Sequence, residues 1–429
     1  MISLLRVLCN GKNVGQLAEK QGDIVFQYNS AWLKSGFDLA PNSMPFDSHA
    51  NPAARLEFQG LHGVFNDSLP DGWGVLLMDR ALKKHLNLER SQITPLDRLA
   101  YMGHRGMGAL EYQPELLPEQ QDGKRIDLEN IAAQSEKVLH GETSDVLEAL
   151  RICGGSPGGA RPKVTVAFSE NMENCLSSFG DLPEGYAHWI VKFRNDSRYG
   201  EGDPIDMGRL EMAYADMGRA AGLQLARTRL IELTVNRKQE AFFAVQRFDR
   251  EGSRKIHFLS LAGYAYANHR LPCLDYSSGV LPATKKLTKS DDEVGKAFRL
   301  MLFNVLAHNK DDHSKNFTYL LDPMKGGWRL SPAYDLTFNN GMANHHTTSI
   351  NGSGNPAFSD LKKVATERKI KSWLQILDEV RSAVSRWPEF ASNYDVTKTR
   401  IKAIQKELGA INKACSPPQV RRVYRNGLG

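Results

Sequence analysis

The segment from Ala307 to Asn316, read on to Tyr334-Asp335, constrains what this chain can become more than any other. Apolar residues at helical spacing, Val294, Phe298, Met301, Leu302, Val305 and Leu306, lead into His308-Asn309-Lys310-Asp311-Asp312-His313-Ser314-Lys315-Asn316, and a strand pattern starts at Phe317. A loop between a helix and a strand thus carries a carboxylate, a histidine two places on and an asparagine five places on. Phosphoryl transfer to a hydroxyl uses those groups. A carboxylate aligns the hydroxyl and takes its proton, an amide oxygen is a hard ligand for Mg²⁺, and a second carboxylate holds the same ion. Asp311, Asn316 and Asp335 supply them, whereas Asp312 stands at the wrong spacing to Asn316. His313 is placed to brace the loop or to meet phosphates. Two other readings stay open: an ordinary polar loop, since Asp, Asn and Ser bond their own backbone, and a metallohydrolase with His308, Asp311, Asp312 and His313 as ligands.

Three upstream stretches bear on the choice. Gly154-Gly155-Ser156-Pro157-Gly158-Gly159-Ala160-Arg161-Pro162-Lys163 runs into the strand pattern Val164 to Phe168. Its glycines let backbone N–H groups approach an anion, and Lys163 adds a compensating charge. A simple hairpin turn is the competing account, and Ser156 is a hydroxyl placed where it could itself be phosphorylated. The strand His188 to Phe193 carries Lys192, and the helical pattern Met207, Leu210, Tyr214, Met217, Ala221, closed by Gly222, carries Glu211. Kinases hold a phosphate-binding Lys with a helix Glu in this order; a snorkelling edge lysine and a solvated glutamate are the alternative. Val245-Gln246-Arg247-Phe248-Asp249-Arg250 reads as an extended connector in which Phe248 packs on an adenine ring or in the core.

Composition sets wide bounds. A chain of 429 residues, 41% hydrophobic, has length for two or three domains and apolar residues enough for a large core. No apolar run reaches the roughly 18 residues of a membrane span, and Met1 to Cys9, broken by Arg6, reads as a strand rather than a signal peptide. Five cysteines at scattered spacing read as reduced cytosolic thiols. A net charge of +6 permits an acidic partner without requiring one. The basic clusters, Lys362-Lys363 with Arg368, Lys369 and Lys371, and Arg421-Arg422 with Arg425, read as solvated helix faces and a loose tail.

Along the chain, Leu4 to Cys9, Val14 to Leu17 and Ile24 to Tyr28 form an antiparallel meander with turns at Asn10-Gly11 and Gln21-Gly22. Pro70-Asp71-Gly72 is a turn in which Asp71 caps the following helix. Gly103, Gly106 and Gly108 mark a tight turn before a strand at Ala109 to Tyr112. Residues 114 to 128 form a surface connection. Asn339 to Asn355, rich in Asn, Gly, Ser and His, occupies the place of an activation or substrate-docking segment in a kinase, with His345 and His346 as plain loop histidines. Two amphipathic helices follow, around Trp373 to Val384 and Ile401 to Ile411.

The order of these features, glycine loop, strand lysine, helix glutamate, connector, Asp-x-His-x-x-Asn loop and metal carboxylate, makes phosphoryl transfer the leading reading. With Leu69-Pro70-Asp71, Gly155 to Ala160, Val245 to Arg250, Asp311 to Asn316 and Tyr334-Asp335 in hand, the chain resembles the HipA family of serine/threonine kinases, toxins of bacterial type II toxin–antitoxin modules. The Asp-x-His-x-x-Asn pattern is also similar to phosphoinositide-kinase loops. The resemblance implies an α+β, two-lobed protein-kinase-like fold: residues 1–120 a β-rich N-terminal subdomain, 121–250 the rest of the N-terminal lobe, 251–429 a mostly helical C-terminal lobe. It implies ATP and Mg²⁺ held by Gly158, Gly159, Ala160, Arg161, Pro162, Lys163, Lys192, Gln246, Arg247, Phe248, His313, Ser314, Lys315, Asn316, Tyr334 and Asp335. Asn316 and Asp335 would be the metal ligands, Glu211 a support, Asp311 the base and Ser156 an autophosphorylation site. It further implies a cytoplasmic protein with protein substrates, aminoacyl-tRNA synthetases among them, and a helix-turn-helix antitoxin with which operator DNA is bound. A catalytically silent corepressor of that antitoxin is the alternative. Pro157, Arg161-Pro162 and Gln246 depart from the family pattern.

Overall fold

The computed structural model describes residues 2–53, 57–117, 124–140, 150, 158–180, 182–195, 203–322 and 327–418. Gly154 to Pro157, Ser156 with them, and the basic residues Arg421, Arg422 and Arg425 lie outside the described residues.

Period-two alternation builds the first sheet. Leu4–Cys9 (β1), Lys12–Lys20 (β2) and Asp23–Tyr28 (β3) turn Leu5, Val7, Val14, Leu17, Ile24 and Phe26 to one buried face. Both hairpins close on two residues with positive φ, Asn10-Gly11 (47° and 75°) and Gln21-Gly22 (55° and 90°), the turn whose twist matches that of its strands. Asn51–Pro52 (β4) and Leu110–Gln113 (β5) complete the order β4-β3-β2-β1-β5.

The second sheet is antiparallel. Lys163–Ser169 (β6), Cys175–Ser177 (β7), Tyr186–Lys192 (β8), Thr228–Val235 (β9) and Lys238–Gln246 (β10) stand in the order β7-β6-β8-β10-β9. Lys163 and Lys192 are paired across β6 and β8, so their side chains share one face. The helix Met207–Ala220 packs over β10, and Gly208 permits the approach: a Cβ there would lie 2.2 Å from the Ala241 carbonyl oxygen.

The rest is mostly helical. Helix Asp291–Leu306 starts at Ser290, whose Oγ accepts the Glu293 N–H, and its first turn holds Asp291, Asp292 and Glu293 against the positive end of the helix dipole. It runs through the largest core, which also takes in helices Phe358–Glu367, Trp373–Ser385, Trp387–Ser392 and Lys398–Ala414. The first of these is the helix on which Lys362 and Lys363 lie exposed, and its apolar face was not legible from periodicity. Strands His257–Ser260, Thr318–Asp322 and Gly327–Leu330 form a small sheet beside this core.

A buried ion cluster ties the first sheet domain to the connector after β10. Asp249 is fully buried between Arg247 Nη2 and Arg250 Nη1, both at 2.8 Å, and accepts the Gly108 N–H at 2.7 Å. Gly106 offers its carbonyl to Arg250 at 3.0 Å. The Gly103–Gly108 turn is therefore a docking element. Its glycine at 108 has φ +74° and stands where a Cβ would meet the Phe258 ring at 2.5 Å.

Candidate active site

Two adjoining chambers open between the second sheet and the helical region. Ile190, Leu225, Phe243, Val245, Phe248 and Leu336 make the inner one largely apolar. The outer one is bounded by the loops at Asp311 and at 339–354. Seven residues line both: Asp71, Gly159, Lys163, Lys192, Glu211, His313 and Asp335. Charge is thus concentrated where the chambers meet.

Lys192 is the centre of that boundary. Its ammonium lies 2.8 Å from Glu211 Oε2 and also contacts Asp335 Oδ1, joining strand β8, helix Met207–Ala220 and the segment after Leu330. Arg161 takes the other oxygen of Glu211 at 2.5 Å and reaches Asp203 at 3.1 Å. Burial opposes ionisation of Lys192, but Asp335 and Glu211 outweigh it and raise its pKa. Burial likewise opposes ionisation of Asp335, yet Lys192 and Lys163 hold its carboxyl well below the usual range. Lys163, almost fully buried, goes the other way: burial and the Lys192 charge lower its pKa, and its ammonium donates to the Gly158 carbonyl. Asp335 sits at φ 55°, a left-handed conformation that Asp tolerates better than most residues.

The Asp311 loop is held from both sides. The Lys310 N–H donates to Asn339 O at 3.1 Å, and the Thr347 N–H donates to Lys310 O at 3.0 Å. The Lys310 ammonium meets Asn344 and Asn355 oxygens at 2.7 Å each. The Asn-rich segment is accordingly a brace for the loop as well as a wall of the outer chamber. Asp311 is left exposed to that chamber, and desolvation by the surrounding walls, with Asp335 and Asp312 nearby, raises its pKa against the opposing pull of His313. Asn316 Nδ2 donates to the Asp311 carbonyl at 2.7 Å, which fixes the amide beside the inner chamber.

Asp312, next in sequence, has a different fate. It is buried and accepts from Tyr276 Oη and pairs with His346 Nδ1, both at 2.9 Å, and takes the Thr348 N–H at 3.2 Å. His346 is hence an internal partner and not a plain loop histidine, while His345 is exposed. His308 stacks on Phe338 at 4.6 Å and bonds Asn340. Among the described residues no three His, Cys, Asp or Glu come together as a metal cage, and the four-ligand hydrolase reading falls with that.

Other expected contacts divide. Phe248 lines the inner chamber, its ring 5.6 Å from that of Tyr334, and Lys315, His313, Gly158 and Gly159 line the cleft. Ala160 and Arg161 line the outer chamber. Ser314 does not reach either chamber: its hydroxyl is buried and donates to Ala267 O at 3.3 Å. Pro162 is likewise absent from both walls, its carbonyl accepting the Phe193 N–H. The Arg247 guanidinium is occupied by Asp249, and the N–H groups of Gln246 and Arg247 are bonded to Arg227 O and His188 O. Tyr334 is held by its hydroxyl, which contacts Thr318 and the Lys315 carbonyl. Asp71 occupies the N-cap position of helix Gly72–Leu86, but its side chain does not cap it. It instead accepts the Gly159 N–H and pairs with Lys315 at 3.1 Å.

Comparison with known proteins agrees with this layout. Residues 5–113 match the HipA N-terminal domain and residues 155–387 the HipA-like C-terminal domain. The chain belongs to the HipA family. Within that family's fold, the HipA of Shewanella oneidensis MR-1, solved as a complex with HipB and its operator DNA, covers 95% of this chain and 96% of its own at 16% identity and a TM-score of 0.67. The Sinorhizobium fredii protein named "Putative kinase Y4mE" is 26% identical over 364 residues, 78% of this chain and 77% of that one. The two-lobed α+β architecture expected of a HipA-family chain is the one observed. No helix among its described residues is long and apolar enough to cross a membrane.

Proposed function

We propose that this HipA-family chain is an ATP-dependent serine/threonine protein kinase and the toxin of a toxin–antitoxin module. The observation that carries the reading is Lys192: one buried ammonium from the sheet lobe meets both Glu211 and Asp335 at the junction of an apolar chamber and a chamber containing Asp311.

The donor set fits ATP with Mg²⁺. Asn316 and Asp335 present hard oxygens on one cleft, and two protein ligands suit an ion that keeps phosphate oxygens and waters in its remaining positions. Lys163 and Lys192 supply positive charge beside them, and the apolar chamber with Phe248 suits a base. Bound there, Mg-ATP would supply an activated phosphoryl group. The chain's residues would orient it through Lys192, exclude water from the inner chamber, and receive the proton of a substrate hydroxyl on the Asp311 carboxylate. A raised pKa makes that carboxylate a stronger base than an ordinary aspartate. Glu211 keeps Lys192 in place. Autophosphorylation of Ser156, a helix-turn-helix antitoxin, and operator DNA bound through it belong to the same proposal, as do cytoplasmic location and an aminoacyl-tRNA synthetase as substrate.

Incubation of the purified chain with Mg-ATP labelled in the γ-phosphate, alone and with a cell extract, tests the reading. Label should appear in protein, and Asp311→Ala should lower its rate by about 100- to 10,000-fold, the range for loss of a general base. Equal labelling by the wild type and the variant would remove Asp311 from the chemistry. Absence of labelling and of nucleotide binding together would remove the kinase.

A further inference from the structure

One buried carboxylate at the cleft has no part in that chemistry. Asp71 belongs to the turn that starts helix Gly72–Leu86, on the N-terminal side of the chain, yet it lines both chambers. Its carboxylate accepts the Gly159 N–H, pairs with the Lys315 ammonium at 3.1 Å and lies 3.5 Å from His269 Nε2. The contact is made at close range along the backbone. The Trp73 N–H donates to Gly159 O at 3.3 Å, and a Cβ on Gly72, at φ +42°, would stand 2.7 Å from Ala160 Cα. A glycine-loop N–H and a lysine ammonium beside a cleft are the groups that bind phosphate oxygens. Both are turned here onto an anion supplied by the protein.

We propose that Asp71 is an internal anion standing where a phosphate of the nucleotide binds, so that phosphate-bearing ligands must displace it from Gly159 and Lys315. The proposal rests on the nucleotide-binding reading above. It makes Asp71 a residue that sets affinity for the phosphates and leaves the base pocket alone. Displacement also loosens the grip of the Asp71 turn on the glycine loop, which couples occupancy of the cleft to the seating of the N-terminal domain.

Calorimetric titration of the full chain with Mg-ATP and with adenosine tests it, using Asp71→Asn and Asp71→Ser. Both variants remove the charge, and each keeps an oxygen to accept the Gly159 N–H, so one serves if the other fails to fold by circular dichroism. Mg-ATP should bind at least fivefold more tightly to the variants, and adenosine within twofold of wild type. Unchanged or weaker Mg-ATP binding overturns the proposal, as does a parallel shift for adenosine, which would make Asp71 a shaper of the cleft. If wild type binds neither ligand, the nucleotide reading falls and this proposal with it.

Discussion

Lys192→Met isolates the contact on which the site is centred. Methionine keeps the length and the apolar stem and deletes the charge. Lys192 is 11% exposed and Glu211 5%, so the pair is largely shielded from water. Leaving a buried partner bare costs about 3–5 kcal/mol, but two features of this site reduce that. Glu211 retains Arg161 at 2.5 Å, and Asp335, 38% exposed, can be solvated. The loss should therefore be about 2 kcal/mol, nearer an unsatisfied hydrogen bond to a charged group than an orphaned ion. Activity should suffer more than stability. An ammonium fixed beside developing charge in a water-poor site is worth about 100- to 1,000-fold in rate. Thermal unfolding and initial rates of γ-phosphate transfer, measured on the same preparations, separate the two. A double-mutant cycle with Glu211→Gln should return a coupling of about 1–2 kcal/mol. A folded Lys192→Met protein that transfers phosphate within threefold of wild type would refute the reasoning, and a coupling near zero would deny the contact.

The two adjacent aspartates should part company: Asp312→Ala leaves His346 and Tyr276 without their acceptor and should cost about 3 kcal/mol in urea unfolding, while Asp311→Asn, exposed, should leave stability within about 0.5 kcal/mol. Asp67 is buried against Ser260, and burial pushes its carboxyl up from 3.8 to about 6. The folded chain binds that proton more tightly than the unfolded chain, so its contribution is full below pH 3.8 and is lost as pH rises to about 6. Asp67→Asn should remove this limb, and the stability difference from wild type should change by about 2.4 kcal/mol between pH 4 and 7; a flat difference would contradict the burial argument. Gly108→Ala forces a side chain into a left-handed position against Phe258 and should lower stability by about 1–3 kcal/mol in thermal unfolding.

Much of the fold was legible locally. Alternation located β1, β2, β3 and β5 because each has one face in a core. The helix leading to Asp311 was legible because its apolar spacing acts within a few residues. Helix Phe358–Glu367 was legible only as a solvated lysine-bearing face, because it buries only Leu361, Val364 and Ala365 among charged neighbours. At the site, spacing to Asn316 was the ground for preferring Asp311 over Asp312; in the structure the first is exposed toward the cleft and the second is enclosed. The signal for Asp71 was present in Pro70-Asp71-Gly72, but a capping reading accounted for it equally well.

What the chain determines by itself is set over short range: strand and helix periods, two-residue turns that need positive φ, and the order of residue types around Asp311. Tertiary structure decided which polar groups face the cleft. Asp71 meets Lys315 from 244 positions away, Asp335 meets Lys192 from 143, and Asp67 meets Ser260 from 193. A buried polar or charged group takes whichever hydrogen-bond partner or counter-charge the fold brings within about 3 Å, because leaving it unpaired in a low dielectric costs more than any local preference can supply. Such pairings carry no periodicity, so they become readable only once the lobes are in place.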